Sequence, residues 1–211
     1  MKSNKIYIEE INALVKDLQE NTLIDIQDDR VGSSTNEFIL NAVCKDNQVS
    51  IYRPLLEMYH QMSSCRIEWQ CDLQKNNFIN RYHPDDEYIS GLIQIRPIEL
   101  FLSYDEKLNS DWWQKNLLSE EKEDLKDFRY FNFNDDYLRV GYIIEKKKIN
   151  EDNLVYILQE SDGFGPFESS FDEYFDLILK YKGFQGWQYN HLFQNTENYR
   201  RMAFYLEQLF K

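Results

Sequence analysis

Histidine, cysteine and basic charge are all scarce in this chain of 211 residues. The three histidines, His60, His83 and His191, lie far apart and form no H-E-x-x-H or similar ligand pair. The three cysteines, Cys44, Cys65 and Cys71, are odd in number and unevenly spaced, with no C-x-x-C; reduced thiols are expected, not a disulfide framework or a metal site. No run of eighteen apolar residues is present, nor a basic leader with an apolar stretch and cleavage site, so a soluble cytoplasmic protein is expected. Gly163-Phe-Gly-Pro-Phe167 lacks the third glycine and the lysine of a phosphate loop. There is no G-x-S-x-G, and Cys71 has no basic neighbour nearer than Arg66 or Lys75 to lower its pKa. No catalytic residue, cofactor or metal is expected.

Acidic charge, by contrast, is abundant: 37 acidic against 24 basic side chains leave a net charge of −13. The acids cluster at Asp85-Asp86-Glu87, Glu120-Glu121, Glu123-Asp124, Asp135-Asp136 and Asp172-Glu173. Such a field repels nucleic acid and anionic membrane and speeds encounter with basic proteins, although solubility alone also explains it. Hydrophobic residues at 42% and aromatics at 16% exclude a disordered chain and predict a core rich in Tyr and Phe. The length fits one domain spanning 1–211.

Periodicity supplies the elements. Ile11, Leu14, Val15 and Leu18 mark an amphipathic helix over 4–20, and the polar stretch from Gln27 to Asn36, with Gly32-Ser33-Ser34, reads as a loop. Glu37–Val43 fits a short strand or a helical turn. Pro54 suits a first helical turn; Leu55, Tyr59 and Met62 follow at helical spacing, and Ile67, Trp69 and Cys71 then alternate as a strand. A second strand is predicted near Gly91. Tyr137–Glu145 and Asn153–Gln159 are predicted to pair antiparallel, because their connection is too short for a parallel crossover. Gly163–Pro166 reads as a break. Ser170 and Glu173 form the S-x-x-E capping box of a helix that ends at Gly183, and a last helix is predicted over 197–210. Helices and strands without strict alternation make this the α+β class: a largely antiparallel sheet with helices packed on one face and at the ends.

Several segments, in this order, resemble the SUKH superfamily, which includes the Smi/Knr-type fungal cell-wall regulators and many bacterial immunity proteins. They are Pro54-Leu-Leu-Glu-Met-Tyr59, Arg66-Ile-Glu-Trp69, Gly91-Leu-Ile-Gln-Ile-Arg-Pro-Ile-Glu-Leu-Phe101, Phe167-Glu-Ser-Ser-Phe-Asp-Glu-Tyr-Phe175 and Lys182-Gly-Phe-Gln-Gly-Trp187. The likeness covers roughly 50–190. One departure is Ser63-Ser64-Cys65, where relatives often carry Asn-Gly; it implies a reshaped turn.

The resemblance implies a non-enzymatic protein-binding domain. With the acidic surface, it points to the branch that neutralises secreted toxins, often nucleases. The candidate contacts for a basic toxin partner are Asp85, Asp86, Glu87, Trp112, Trp113, Glu120, Glu121, Asp135 and Asp136. Two adjacent tryptophans do not easily enter one core together, so one reads as a surface anchor, beside the alternative that both pack inside. A regulatory or scaffold module is the alternative function. A carboxylate hydrolase ranks last, because adjacent acids seldom converge on one bond.

Overall fold

The computed structural model describes residues 5–76, 87–134, 138–145, 148–149, 154–159, 163–167 and 169–211. Its frame is an antiparallel sheet in the order β1-β2-β3-β4-β5-β7-β8, with the short β6 paired to β5. The strands are β1 (Asp25–Val31), β2 (Cys65–Asp72), β3 (Tyr88–Ile95), β4 (Phe128–Asn134), β5 (Leu138–Glu145), β6 (Lys148–Ile149), β7 (Tyr156–Gln159) and β8 (Gly163–Pro166). On one face lie α1 (Tyr7–Glu20), α2 (Glu37–Asp46), α3 (Arg53–Gln61), α4 (Ile98–Leu102), α7 (Phe171–Lys180), α8 (Trp187–Leu192) and α9 (Glu197–Leu209), which supply the larger core. The class is α+β, and the predicted β5–β7 pairing is present, with Leu138 opposite Gln159 and Gly141 opposite Tyr156.

The main core is aromatic, as the composition predicts. Tyr7 meets Phe175 edge-on at 5.0 Å between ring centres, and Phe131 meets Phe171 and Tyr174 at 5.4 and 5.7 Å. Tyr174 packs on Trp187 at 5.4 Å. Two of the buried tyrosine hydroxyls find partners, Tyr7 donating to Asp172 Oδ1 (2.5 Å) and Tyr59 to the Arg96 carbonyl (2.9 Å); an orphaned buried polar group costs about 1–3 kcal/mol.

The second face carries its own smaller core, an addition to the predicted layering. Phe128, Tyr130, Ile143, Leu158 and Phe164 are covered there by Leu108, Trp113, Leu117 and Leu125. The cover comes from a 3-10 turn (Glu106–Asn109), α5 (Asp111–Gln114) and α6 (Ser119–Asp127). It spans the β4–β8 half of the sheet. Arg66, Glu68, Gln70, Ser90 and Gln94 on the β2–β3 half stay partly exposed.

Two expected loops are strands. Asp25–Val31 pairs with β2 despite its four charges, because an edge strand is held by main-chain bonds and keeps its side chains in solvent. Gly163–Pro166 pairs with β7: Gly163 takes a positive φ of 98° at its start, and Pro166, which has no N–H, closes an edge strand. The undecided Glu37–Val43 is helical, opened by Asn36, whose side chain accepts from the Phe38 N–H at 2.7 Å. The turn after α3 is reshaped without glycine. Met62 is extended, Ser63 N–H donates to Ser33 O (2.8 Å), and Ser64 O accepts from Gly32 N–H (2.8 Å).

The capping box forms. Ser170 N–H and hydroxyl both donate to Glu173 Oε2 at 2.9 Å, and Ser170 Oγ accepts from Glu173 N–H at 3.4 Å. These bonds hold the Glu173 carboxyl below the usual carboxylate range. A depressed carboxyl stabilises the fold above its unfolded titration range, and that contribution is lost as pH falls through the folded value. Ser170→Ala should therefore lower stability by about 1 kcal/mol at neutral pH, with the penalty shrinking in acid, as read by urea melts at two pH values. At the other end of α7, Lys182 N–H reaches Leu179 O and Gly183 N–H reaches Ile178 O, each at 3.2 Å, with positive φ at both residues. This is a Schellman ending, in which Lys182 takes the left-handed position assigned to Gly183 and the glycine follows it.

Gly183 does more than end the helix. The segment after it runs against β3: Leu92 N–H donates to Gly183 O (2.8 Å), Gly91 bridges Phe184, and Gln185 N–H donates to Ser90 O (2.9 Å). It occupies the outer edge of β3 that would otherwise pair with β4. The two strands consequently meet at one register position, Ile95 opposite Asn132, with Arg96 N–H bonded to Phe131 O (2.8 Å). The sheet is split by a wedge.

Candidate functional site

The sequence-derived contacts scatter. Asp85, Asp86, Asp135 and Asp136 lie outside the described residues, as does His83. Glu87 is exposed just before β3, where its carbonyl accepts from Leu73 N–H (2.9 Å). Glu120 and Glu121 open α6, and Glu121 is partly spent locally, accepting from Leu118 N–H at 2.6 Å.

The tryptophan pair divides. Trp113 is 6% exposed and sits in the second core, with the Arg139 guanidinium 5.0 Å from its ring centre, so its role is packing. Trp112 is 57% exposed, and Leu118, which the sequence reading passed over, is 70% exposed. A one-turn helix forces this split, since adjacent residues point about 100° apart. Trp112, Gln114, Lys115 and Lys122 line a shallow cavity of about 460 Å³. The α5–α6 segment thus offers two large apolar side chains beside the acidic first turn of α6.

A second concavity lies where no sequence motif points. Where β3 and β4 part, a cleft of about 660 Å³ opens on the second face, lined by Arg30, Arg66, Arg96, Leu100, Tyr130 and Phe133 among others. Arg30 is paired with Asp28 at 2.5 Å; Arg66 bonds Asp28 (3.1 Å), Glu68 (2.5 Å) and Gln94 (2.5 Å). The Arg30 bonds and the Arg66 charge hold the Asp28 carboxyl below its ordinary value. Arg96 lies over the Tyr130 ring at 3.9 Å, and the Tyr130 hydroxyl donates to Asp105 Oδ2 (2.5 Å). Burial pushes the Asp105 carboxyl up, but the bonds from Tyr130 and the Lys107 N–H, with the charges of Arg96 and Arg139, outweigh it and leave it lowered. These residues come from four strands, α4 and the start of a 3-10 turn, so no local spacing announced them.

Other titratable groups have structural roles. Burial pushes the Cys65 thiol up to about 12, and it raises Cys44 and Cys71 as well. His191, lowered by burial and by Lys180, bonds Tyr181 Oη at 2.9 Å. Among the described residues no group of three His, Cys, Asp or Glu side chains is gathered to hold a metal ion, and no helix is long and apolar enough to cross a membrane. No protein-family model matches the chain, and a search of curated proteins finds no match.

Proposed function

We propose that this chain is a non-enzymatic binding domain that docks a basic toxin domain, such as a nuclease, and neutralises it. The observation that carries the reading is that the short α5–α6 segment exposes both Trp112 and Leu118, the latter at the acidic opening of α6, in a chain of net charge −13. Hot spots are enriched in tryptophan, and close interfacial charge pairs add about 1.5–7 kcal/mol of coupling where they are desolvated. Lys115 and Lys122 give the surface mixed signs, which fix register against a partner. The resemblance to the SUKH superfamily supports the same reading. So does the charge, which disfavours nucleic acid and anionic membranes as partners. Three free thiols fit a reducing cytoplasm.

The test is co-expression with the products of the genes flanking its own. The chain should rescue growth from one of them and co-purify with it. Trp112→Ala combined with Leu118→Ala should weaken that complex by about 2 kcal/mol or more, roughly thirtyfold. Persistent killing, or an undiminished complex with the double variant, overturns the proposal.

A further inference from the structure

We propose that the cleft between β3 and β4 is a binding site for a small organic anion, a phosphate or carboxylate carried on an aromatic or apolar body. It is separate from the α5–α6 docking surface and does not depend on it.

Arg96 is the distinctive cation of the cleft. Its neighbours Arg30 and Arg66 already share Asp28, and Arg66 also holds Glu68. Arg96 is half-buried, and among the described residues no carboxylate lies within ion-pair distance of it. Asp105 lies in its field, but the two oxygens of that carboxylate accept from Tyr130 and from the Lys107 N–H. Taking a cation partly out of water without a counter-charge is unfavourable, and an incoming oxyanion removes that cost.

The residue is anchored through its main chain, and its guanidinium bonds the Tyr130 carbonyl. Arg96 N–H donates to Phe131 O (2.8 Å), its carbonyl accepts from Tyr59 (2.9 Å), and its Nη1 reaches Tyr130 O at 3.4 Å. Stacked 3.9 Å over Tyr130, it presents a planar fork, the geometry that binds oxyanions through two parallel bonds. The rest of the lining suits an apolar body: Val31, Ile95, Pro97, Leu100 and Phe133. At about 660 Å³ the cleft lies within the roughly 300–1,000 Å³ of small-molecule sites. Beyond the single Ile95–Asn132 register position β3 and β4 do not pair, and Gln94 and Phe133 on the two strands both line the cleft.

Phenyl phosphate, benzoate and inorganic phosphate are the probes, titrated into the ¹⁵N-labelled full chain with arginine Nε–H resonances as readout. Phenyl phosphate or benzoate should bind saturably and shift the Arg96 resonance. Whichever is tighter identifies the anion as phosphate or carboxylate. Inorganic phosphate, lacking a body, should bind about tenfold more weakly. Arg96→Gln should reduce affinity about tenfold or more, and Arg30→Gln less than about threefold, because Arg30 is exposed and already paired. Phe133→Ala should weaken phenyl phosphate and leave inorganic phosphate unchanged, a distinction that misfolding would not produce. No saturable shift with any probe at concentrations on the order of 10 mM, or equal affinity in Arg96→Gln, overturns the site.

Discussion

Trp69→Ala is expected to lower stability by about 3–5 kcal/mol, measured by urea denaturation followed by far-UV circular dichroism. Trp69 is fully buried on β2, and its indole N–H donates to the Lys182 carbonyl at 2.7 Å. Phe184 and Phe210 pack on the ring at 6.3 and 6.1 Å between centres. Its seat on the neighbouring strand is Gly91, directly opposite in register, where an added Cβ would come within 2.2 Å of the indole nitrogen. Truncation thus empties a large volume and orphans a buried carbonyl at once. Trp69→Phe keeps part of the ring and loses the donor, so an intermediate loss of about 1–3 kcal/mol is expected. Trp112→Ala, on an exposed ring, should cost within about 0.5 kcal/mol, which also separates its effect on partner binding from any effect on folding. A loss below 1 kcal/mol for Trp69→Ala would contradict this account of the core.

Gly141→Ala should be nearly as damaging, about 3 kcal/mol or more, a drop of roughly 6–12 °C in Tm for a chain of this size. The register of β4 against β5 slips between Tyr130 and Asn132, leaving Phe131 as the extra residue of a bulge. The bulged strand leans over Gly141. A Cβ there would lie 1.9 Å from Arg129 O and 2.5 Å from Tyr130 Cα, both main-chain atoms that no rotamer change can move. The two strands must separate, disturbing both cores, since Phe131 faces one and Tyr130 the other. Gly165→Ala is the control: nothing lies within 4 Å of its Cβ position, and the change should be close to neutral.

What could be read from the residues follows from which forces write a local pattern. α1, α3, α7 and α9 bury one stripe each, so their apolar spacing revealed them, and the Ser170–Glu173 box marked a helix start within one residue. β2 alternates buried and half-buried side chains along its whole length and was equally plain. β1 and β8 were hidden because edge strands are held by main-chain bonds, on which side-chain chemistry leaves little trace. β4 was missed for a different reason. The Phe131 bulge breaks the two-residue period, and both faces of the strand are covered, so Phe-Arg-Tyr-Phe-Asn-Phe-Asn shows no alternation. Within α9, Met202, Tyr205 and Leu209 are buried while Ala203 is exposed, so the helix's apolar residues do not all share its buried stripe.

The candidate surfaces divide in the same way. The adjacency of Trp112 and Trp113 left a split and joint packing in the core both open, and which held depended on where Arg139 and the β4–β5 pair supplied a floor for Trp113 alone. The Arg96 cleft left no trace in the sequence order. Its lining gathers residues of β1, β2, β4 and α4 around Arg96, and, like the wedge of Gly183–Gln185 against β3, it is a contact of the kind only tertiary structure makes.

That wedge also orders events during synthesis. Trp69 leaves the ribosome long before Lys182, which accepts its N–H, and before Phe184 and Phe210, which cover its ring. The nascent chain must carry an uncovered indole and an unpaired β3 edge until residues 182–210 emerge. During that interval the bare ring and the open edge are the surfaces through which a half-made chain can misassociate.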